Sequence, residues 1–331
     1  MGEIRTIGLL TSGGDAPGMN PCIRAIVRTA TAEGINVIGI RRGYQGLING
    51  DFYQMDSNDV NGLSCKGGTI LYTARSDEFR TDAGLEKAAN VCRDLRLDGL
   101  IAIGGDGTMK GAAELAKRGV KVVVIPGTID KDMGCTEYTI GFDTASNTAI
   151  EAIDKLHDTG QSHERVSVVQ VMGRHAGHLA LYIGLASGAS AVLLPEKEFD
   201  LEEDVISVIR RGCLYGRRHH IVVVAEGVGK LTELSKKIEE GTGLETRVTV
   251  LGYIQRGGAP SARDRVCGCM MGVRALDCLK NPKLGNRVII VKNGTFNDMP
   301  LEDAVDHARV FNESMFVACD RIDNSYQSKK R

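Results

Sequence analysis

Short apolar runs, each closed by a glycine turn and followed by a helix-spaced apolar stripe, recur along this 331-residue chain. Residues 7–10 are the first run. Residues 21–32 then carry Ile23, Ile26, Val27 and Ala30 at helical spacing, and Gly34 ends that helix. The same reading gives a strand at 36–40, a helix at 83–95 and a strand at 100–103. A helix at 112–117 follows, capped by Gly119, and then a strand at 120–125. After a break come a helix at 144–156, strands at 166–171, 191–194, 221–225 and 248–251, a long helix at 261–279 and a last strand at 287–291. Strands that are apolar on both faces and alternate with amphipathic helices predict a mostly parallel sheet covered by helices on both sides.

A chain of this length divides into two lobes. The expected fold class is α/β, with two doubly wound, mostly parallel, three-layer lobes and the active site in the cleft between them. Their expected bounds are 1–139 plus 252–304, and 140–251 plus 305–331. No Pro- or Ser-rich linker marks the boundary near Ile140. A net charge of −1 argues against a nucleic-acid or membrane-surface partner. The nine cysteines are scattered, with only Cys267 and Cys269 close together, which reads as two helical thiols. Scattered thiols, the lack of a signal segment and the lack of an apolar run of about 18 residues predict a cytoplasmic protein. Residues 324–331 are expected to be poorly ordered.

In an open parallel sheet, ligands gather at the carboxyl ends of strands. After the first strand comes Thr11-Ser12-Gly13-Gly14-Asp15-Ala16-Pro17-Gly18. Its glycines let backbone N–H groups approach a phosphate, and the next helix aims its positive end there. An ordinary tight turn is the plain alternative, and the dinucleotide pattern Gly-x-Gly-x-x-Gly is not met. After Ile103 comes Gly104-Gly105-Asp106-Gly107-Thr108. A carboxylate in such a loop suits Mg²⁺, which takes one or two protein carboxylates plus phosphate oxygens, although an Asp there can simply cap a helix. After Ile125 comes Pro126-Gly127-Thr128-Ile129-Asp130-Lys131-Asp132. Its two carboxylates can divide the work of a general base and an electrostatic helper, or belong to turn chemistry.

The second half offers cations instead. Met172-Gly173-Arg174-His175-Ala176-Gly177-His178, Glu226-Gly227 and Arg256-Gly257-Gly258 each follow a strand, and Arg247 lies just upstream of one. Taken singly, each arginine reads as a surface ion pair. Arginine also grips phosphate bidentately and neutralises a transferring phosphoryl group. Carboxylate-bearing glycine loops in one half and arginines in the other form the layout of a two-substrate phosphoryl transferase.

These segments, with Ile140-Gly141-Phe142-Asp143-Thr144-Ala145 and Gln255-Arg256-Gly257-Gly258-Ala259-Pro260, resemble the 6-phosphofructokinase family. Their order and spacing are similar to its short bacterial form over about residues 7–319. The Gly-Gly-Asp-Gly-Thr piece alone would also resemble NAD kinases. The resemblance implies transfer of the γ-phosphoryl of Mg-ATP to the 1-hydroxyl of fructose 6-phosphate. It makes the first lobe the ATP-Mg lobe and the second the sugar-phosphate lobe. Carried over by position, Asp130 is the base, Asp132 assists it and Thr128 contacts the transferring phosphoryl. Asp106 holds Mg²⁺. Gly14, Arg75 and Arg174 stabilise the phosphoryl in flight. Tyr44, Arg80, Gly107, Thr108 and Gly111 line the nucleotide site. Met172, Gly173, Glu226, Tyr253 and Arg256 hold the sugar phosphate, while Arg165 and Arg247 reach it from a neighbouring subunit, which implies a homotetramer with shared sites.

Pyrophosphate users of that family generally carry Asp where this chain has Gly107 and Lys where it has Gly127, so two glycines point to ATP. A pyrophosphate or mixed-donor enzyme and a weakly active regulatory paralogue are the alternatives. Three departures stand out: Lys131 where Asn is usual, Tyr253 where His is usual, and Lys110 beside the nucleotide loop. At the position of the family's effector pocket, Arg24, Arg28 and Arg217 are kept, whereas Ser57, His157, Ser190 and Tyr215 replace charged residues. The usual effectors are therefore expected to act weakly.

Overall fold

The computed structural model describes residues 4–323; the tail expected to be poorly ordered lies outside the described residues. In chain order the strands are β1 (Thr6–Thr11), β2 (Asn36–Ile40), β3 (Phe52–Met55), β4 (Gly99–Gly104), β5 (Val122–Pro126), β6 (Val166–Val171), β7 (Ala191–Leu193), β8 (His220–Ala225), β9 (Thr246–Val250), β10 (Arg287–Lys292) and β11 (Thr295–Pro300). The helices are α1 (Met19–Ala32), α2 (Gly43–Asn49), α3 (Asp82–Asp94), α4 (Asp106–Lys117), α5 (Phe142–His163), α6 (His178–Ser187), α7 (Ser207–Leu214), α8 (Leu231–Thr242), α9 (Ala262–Lys280), α10 (Leu301–Val305) and α11 (Glu313–Asp323). They form two compact units. One runs to Thr144 and resumes over Arg256–Arg309; the other is Ala145–Gln255 together with the segment from Val310. The chain thus crosses between units a few residues later than the expected 139/140, 251/252 and 304/305.

The first unit holds a seven-stranded sheet in the order β11-β10-β5-β4-β1-β2-β3. Its five inner strands run parallel, and β4 and β5 are buried along their whole length, as continuous apolar sequence requires. Both edges are antiparallel. Neither β3 nor β11 is visible as an apolar run, because each mixes polar residues into its sequence. The strand expected to be last is therefore followed by one more.

The long helix α9 lies against α1. A Cβ on Gly268 would meet the Gly18 carbonyl oxygen at 2.8 Å, and one on Gly272 the Cys22 carbonyl oxygen at 3.0 Å. Two glycines one turn apart let these helices approach backbone to backbone. The N-terminus of α9 carries a densely bonded carboxylate. Asp264, fully buried, accepts from the Tyr138 hydroxyl at 2.5 Å, Gly141 N–H at 2.7 Å, Thr144 N–H at 2.8 Å and the Thr144 hydroxyl at 2.5 Å. Beside it the Ser261 hydroxyl caps α9 on Asp264 N–H and donates to Asp143. Burial raises the Asp264 carboxyl above its ordinary range, and the four hydrogen bonds oppose that rise.

The second unit holds a four-stranded parallel sheet in the order β7-β8-β6-β9. Its core gathers Val166, Val168, Val222 and Val224 from the sheet with Val205, Ile209, Leu234 and Ile238 from the helices. Two histidines entering β8 are also buried. His219 Nε2 meets the Ser167 hydroxyl at 3.2 Å and His220 Nδ1 the Ser190 hydroxyl at 3.1 Å. Gly160 on α5 and Gly212 on α7 make room for these rings: an added Cβ would lie 2.1 Å from the first and 2.4 Å from the second.

Two outcomes follow. Asp264→Ala leaves four buried donors without their acceptor, each costing about 1–3 kcal/mol, so urea unfolding should show a loss of at least about 3 kcal/mol. Burial, the largest cause, lowers both histidines from 6.5 to about 4. The folded state therefore resists protons that the unfolded chain accepts, and its stability is complete above pH 6.5 and lost as the pH falls from 6.5 toward 4. Melting temperature measured across that window should fall more steeply for the wild type than for a His219→Gln/His220→Gln double variant.

Candidate active site

Strand order reverses in the first unit between β1 and β4: the chain proceeds from β1 to β2 on one side and returns to β4 on the other. Such a switch point parts the loops at the carboxyl ends of the two strands and opens a ligand crevice. Here those loops are the two glycine segments, and they are bonded to each other. Ser12 N–H donates to the Ile103 carbonyl at 3.0 Å, and the buried Thr108 hydroxyl donates to the Ser12 carbonyl at 3.1 Å. Gly104 is obligatory at this contact, since a Cβ would stand 2.4 Å from the Ser12 oxygen. Gly13 and Gly18 have φ of 87° and 113°, backbone that favours glycine. Gly14 faces Arg256: an added Cβ would lie 2.9 Å from the guanidinium carbon. The predicted phosphate loop and one predicted sugar-phosphate arginine are thus neighbours within one unit.

Tyr44 and Phe79 stack with centroids 4.0 Å apart, and the Tyr44 hydroxyl donates to the Thr108 carbonyl at 2.7 Å. Gly111 supports that stack, because a Cβ would come within 2.8 Å of both rings. Nothing lies within 4 Å of the Cβ position of Gly107. Asp106 opens α4, and its carboxylate is 2.7 Å from the Lys110 ammonium. Lys110, noted as a departure, is therefore the ion-pair partner of the predicted metal ligand. Among the described residues no group of three or more His, Cys, Asp or Glu could cage a metal. A lone, partly exposed carboxylate fits a cation that arrives on phosphate oxygens.

The third loop adjoins the other two. Gly127 N–H donates to the Gly104 carbonyl at 2.9 Å, and a Cβ on Gly105 would meet the Thr128 side chain at 3.3 Å. The Thr128 hydroxyl accepts from Asp130 N–H at 3.1 Å, and the Thr128 carbonyl accepts from the Thr139 hydroxyl at 2.6 Å. Asp130 is buried. Lys131 takes the left-handed conformation at φ 51°, where Asn is tolerated more readily than Lys. Its ammonium lies 4.9 Å from the centre of the Phe142 ring, and burial, aided by Arg263, lowers its pKa. Asp132 is held by Arg309, which donates from Nε to the Asp132 carbonyl at 2.5 Å and lies 3.5 Å from its carboxylate.

In the second unit, Gly173 at φ 143° and Arg174 at φ 52° turn the loop after β6. Glu226 accepts from Arg174 N–H at 3.0 Å, and a Cβ on Gly227 would strike the Arg174 carbonyl at 2.6 Å. Gln255, wholly buried, accepts from Met172 N–H at 2.8 Å, and Glu196 accepts from Gly177 N–H at 2.7 Å. Arg165 and Arg247, predicted to act together, both pair with Glu245, and the Arg165 hydrogen bond holds that carboxyl below its usual range. Tyr253 is largely exposed.

The segment that carries Arg75 joins the first glycine loop, since the Thr73 hydroxyl donates to the Gly13 carbonyl at 2.5 Å. Arg75 is exposed, and the Arg80 guanidinium lies 3.7 Å from the Asp77 carboxylate. Arg28 donates to the Asn61 side chain at 2.9 Å, an amide and not a carboxylate. Arg217 donates to the backbone carbonyls of His219 and Gly188 at 3.2 and 2.9 Å, and His157 packs edge-on against His219. Arg309, Glu196 and Glu245 were missed by sequence reasoning because no motif surrounds them. Gln255 sits within a quoted motif and could have been found there.

Residues 6–279 match the phosphofructokinase family model. The chain is 51% identical over 313 residues to an ATP-dependent 6-phosphofructokinase of Clostridium botulinum, covering 95% of this chain and 98% of that one. The figures are the same for an ATP-dependent 6-phosphofructokinase of Clostridium acetobutylicum. Among solved structures, a phosphofructokinase of Saccharomyces cerevisiae superposes with a TM-score of 0.86 at 31% identity over 96% of this chain, which spans 46% of the yeast chain. On the match across most of its length and on this likeness, the chain belongs to the phosphofructokinase family.

Proposed function

We infer that this chain is an ATP-dependent 6-phosphofructokinase, which transfers the γ-phosphoryl of ATP to the 1-hydroxyl of fructose 6-phosphate and yields fructose 1,6-bisphosphate. The observation that carries the reading is the set of three strand-end loops in the first unit, joined by the Ser12–Ile103, Thr108–Ser12 and Gly127–Gly104 hydrogen bonds. They bring a glycine phosphate cradle, a metal-type carboxylate and a carboxylate pair to one sheet end. The names of the Clostridium relatives support the same activity.

Asp130 takes the proton of the sugar hydroxyl as it attacks, and Asp132 favours that transfer electrostatically. Thr128, whose hydroxyl already holds Asp130 N–H, contacts the phosphoryl in transit. Gly14, Arg75 and Arg174 offset the charge that spreads over its oxygens. Asp106 would hold Mg²⁺ that arrives with ATP, a cation that screens the phosphate charge; Lys110 then yields its place on the carboxylate. Tyr44, Arg80, Thr108 and Gly111 line the nucleotide. Met172, Gly173, Glu226, Tyr253 and Arg256 bind fructose 6-phosphate. Arg165 and Arg247 serve the sugar phosphate of a neighbouring subunit in a homotetramer; their shared partner Glu245 holds them together at the starts of the neighbouring strands β6 and β9. The free cysteines suit a reducing cytoplasm.

A coupled assay with fructose 6-phosphate should show turnover with ATP and far less with pyrophosphate; the reverse order would sink the reading. Asp130→Asn should lower kcat about 10²–10⁴-fold with little change in substrate affinity, as loss of a general base requires. The open space at Gly107 means that Gly107→Asp should fold normally. It should raise KM for ATP by intruding near the α-phosphate, and harm pyrophosphate use much less. Wild-type ATP kinetics in that variant would displace the nucleotide from this loop.

A further inference from the structure

The catalytic loop and a segment some 175 residues later along the chain are packed backbone to backbone. A Cβ on Gly134 would lie 2.4 Å from the Ala308 carbonyl oxygen and 2.7 Å from that of His307. Arg309 follows directly, at the last position of the first unit. Its guanidinium turns onto the loop through two contacts with Asp132. Nε donates to the Asp132 main-chain carbonyl at 2.5 Å, and one terminal nitrogen reaches the Asp132 carboxylate at 3.5 Å. The short contact is to the backbone and the long one to the charge. Neutralising Asp132 would call for the opposite pattern, whereas fixing where the residue sits calls for this one.

The loop has reason to need such a tie. Asp130 and Asp132 are like charges two residues apart, and Lys131 between them holds a left-handed conformation unfavourable for its side chain. Repulsion and strain both favour letting Asp132 swing away. We propose that Arg309 is a positioning residue for the phosphoryl-transfer reaction, acting through Asp132 and touching neither substrate. This rests on the reading of Asp132 as a helper of the base.

The test is a double-mutant cycle on the full-length enzyme. Arg309→Ala should lower kcat about ten- to a hundred-fold, the range for loss of a charged hydrogen-bond donor. KM for both substrates should stay near wild type, and Arg309→Lys, which can make one contact but not both, should fall between. Added to Asp132→Asn, the Arg309→Ala change should slow the enzyme little further. Wild-type kcat in Arg309→Ala overturns the proposal, as does an undiminished loss on top of Asp132→Asn. If Arg309→Ala does not fold while Arg309→Lys keeps wild-type kcat, the residue is structural and the proposal fails. Wild-type kcat in Asp132→Asn, by contrast, would refute the helper role itself, a separate result read from its own arm of the cycle.

Discussion

The buried carboxylate of Asp264 is the contact that ties α9 to the chain that follows the third strand-end loop of the first unit. It belongs to α9, yet the groups it binds come from residues 138–144, which follow the catalytic loop. Gly141 must hold φ 103° to present its N–H there, and a side chain at that position would strike Ala16 in the phosphate loop. The loop after β1, the stretch after the β5 loop and α9 are therefore fitted together around one buried carboxylate. Ser261 extends the arrangement, since its N–H donates to the Thr144 hydroxyl that also serves Asp264. Thr144 is the last residue before the chain leaves this unit, and Arg256 the first after it returns. Both passages of the chain are thus tied within a few residues of a single buried charge.

Glycine supplies the complementary constraint. Where the loops meet at the β1/β4 switch point, missing side chains allow the main chains to touch, as at Gly104 against Ser12. The helix pair α1 and α9 uses the same device at Gly268 and Gly272. In the second unit glycines make room for rings, with Gly160 against His219 and Gly212 against His220. Two of the left-handed non-glycine residues, Lys131 and Arg174, lie in the strand-end loops after β5 and β6; others, such as Arg96 and Lys230, mark ordinary turns.

Much of this was legible in the sequence. Parallel strands buried on both faces announce themselves by continuous apolar residues, so β4, β5, β6 and β8 were found within a residue or two. Loops at strand ends carry glycine and charge in motifs, so the segments that hold Gly14, Asp106, Asp130 and Arg174 could be placed after β1, β4, β5 and β6. The antiparallel edges β3 and β11 were not, because an edge strand alternates and lacks that signal. Nor were Arg309 and Glu245, whose role depends on which distant or neighbouring group they face. A sequence shows which residues have chemistry to offer; ion-pair partners across long separations appear only once the chain is folded.

Gly107 and Gly127 both mark donor preference by family resemblance, yet their surroundings differ. Gly107 borders empty space, whereas a Cβ on Gly127 would press on Ile103 and Met19 at 3.0 and 3.1 Å. A side chain can therefore appear at the first position without disturbing the core, while the second must be accommodated by its neighbours. A side chain at 107 meets no neighbour, whereas one at 127 asks Ile103 and Met19 to give way by a few tenths of an ångström, so the two marks of donor preference differ in what they ask of the core.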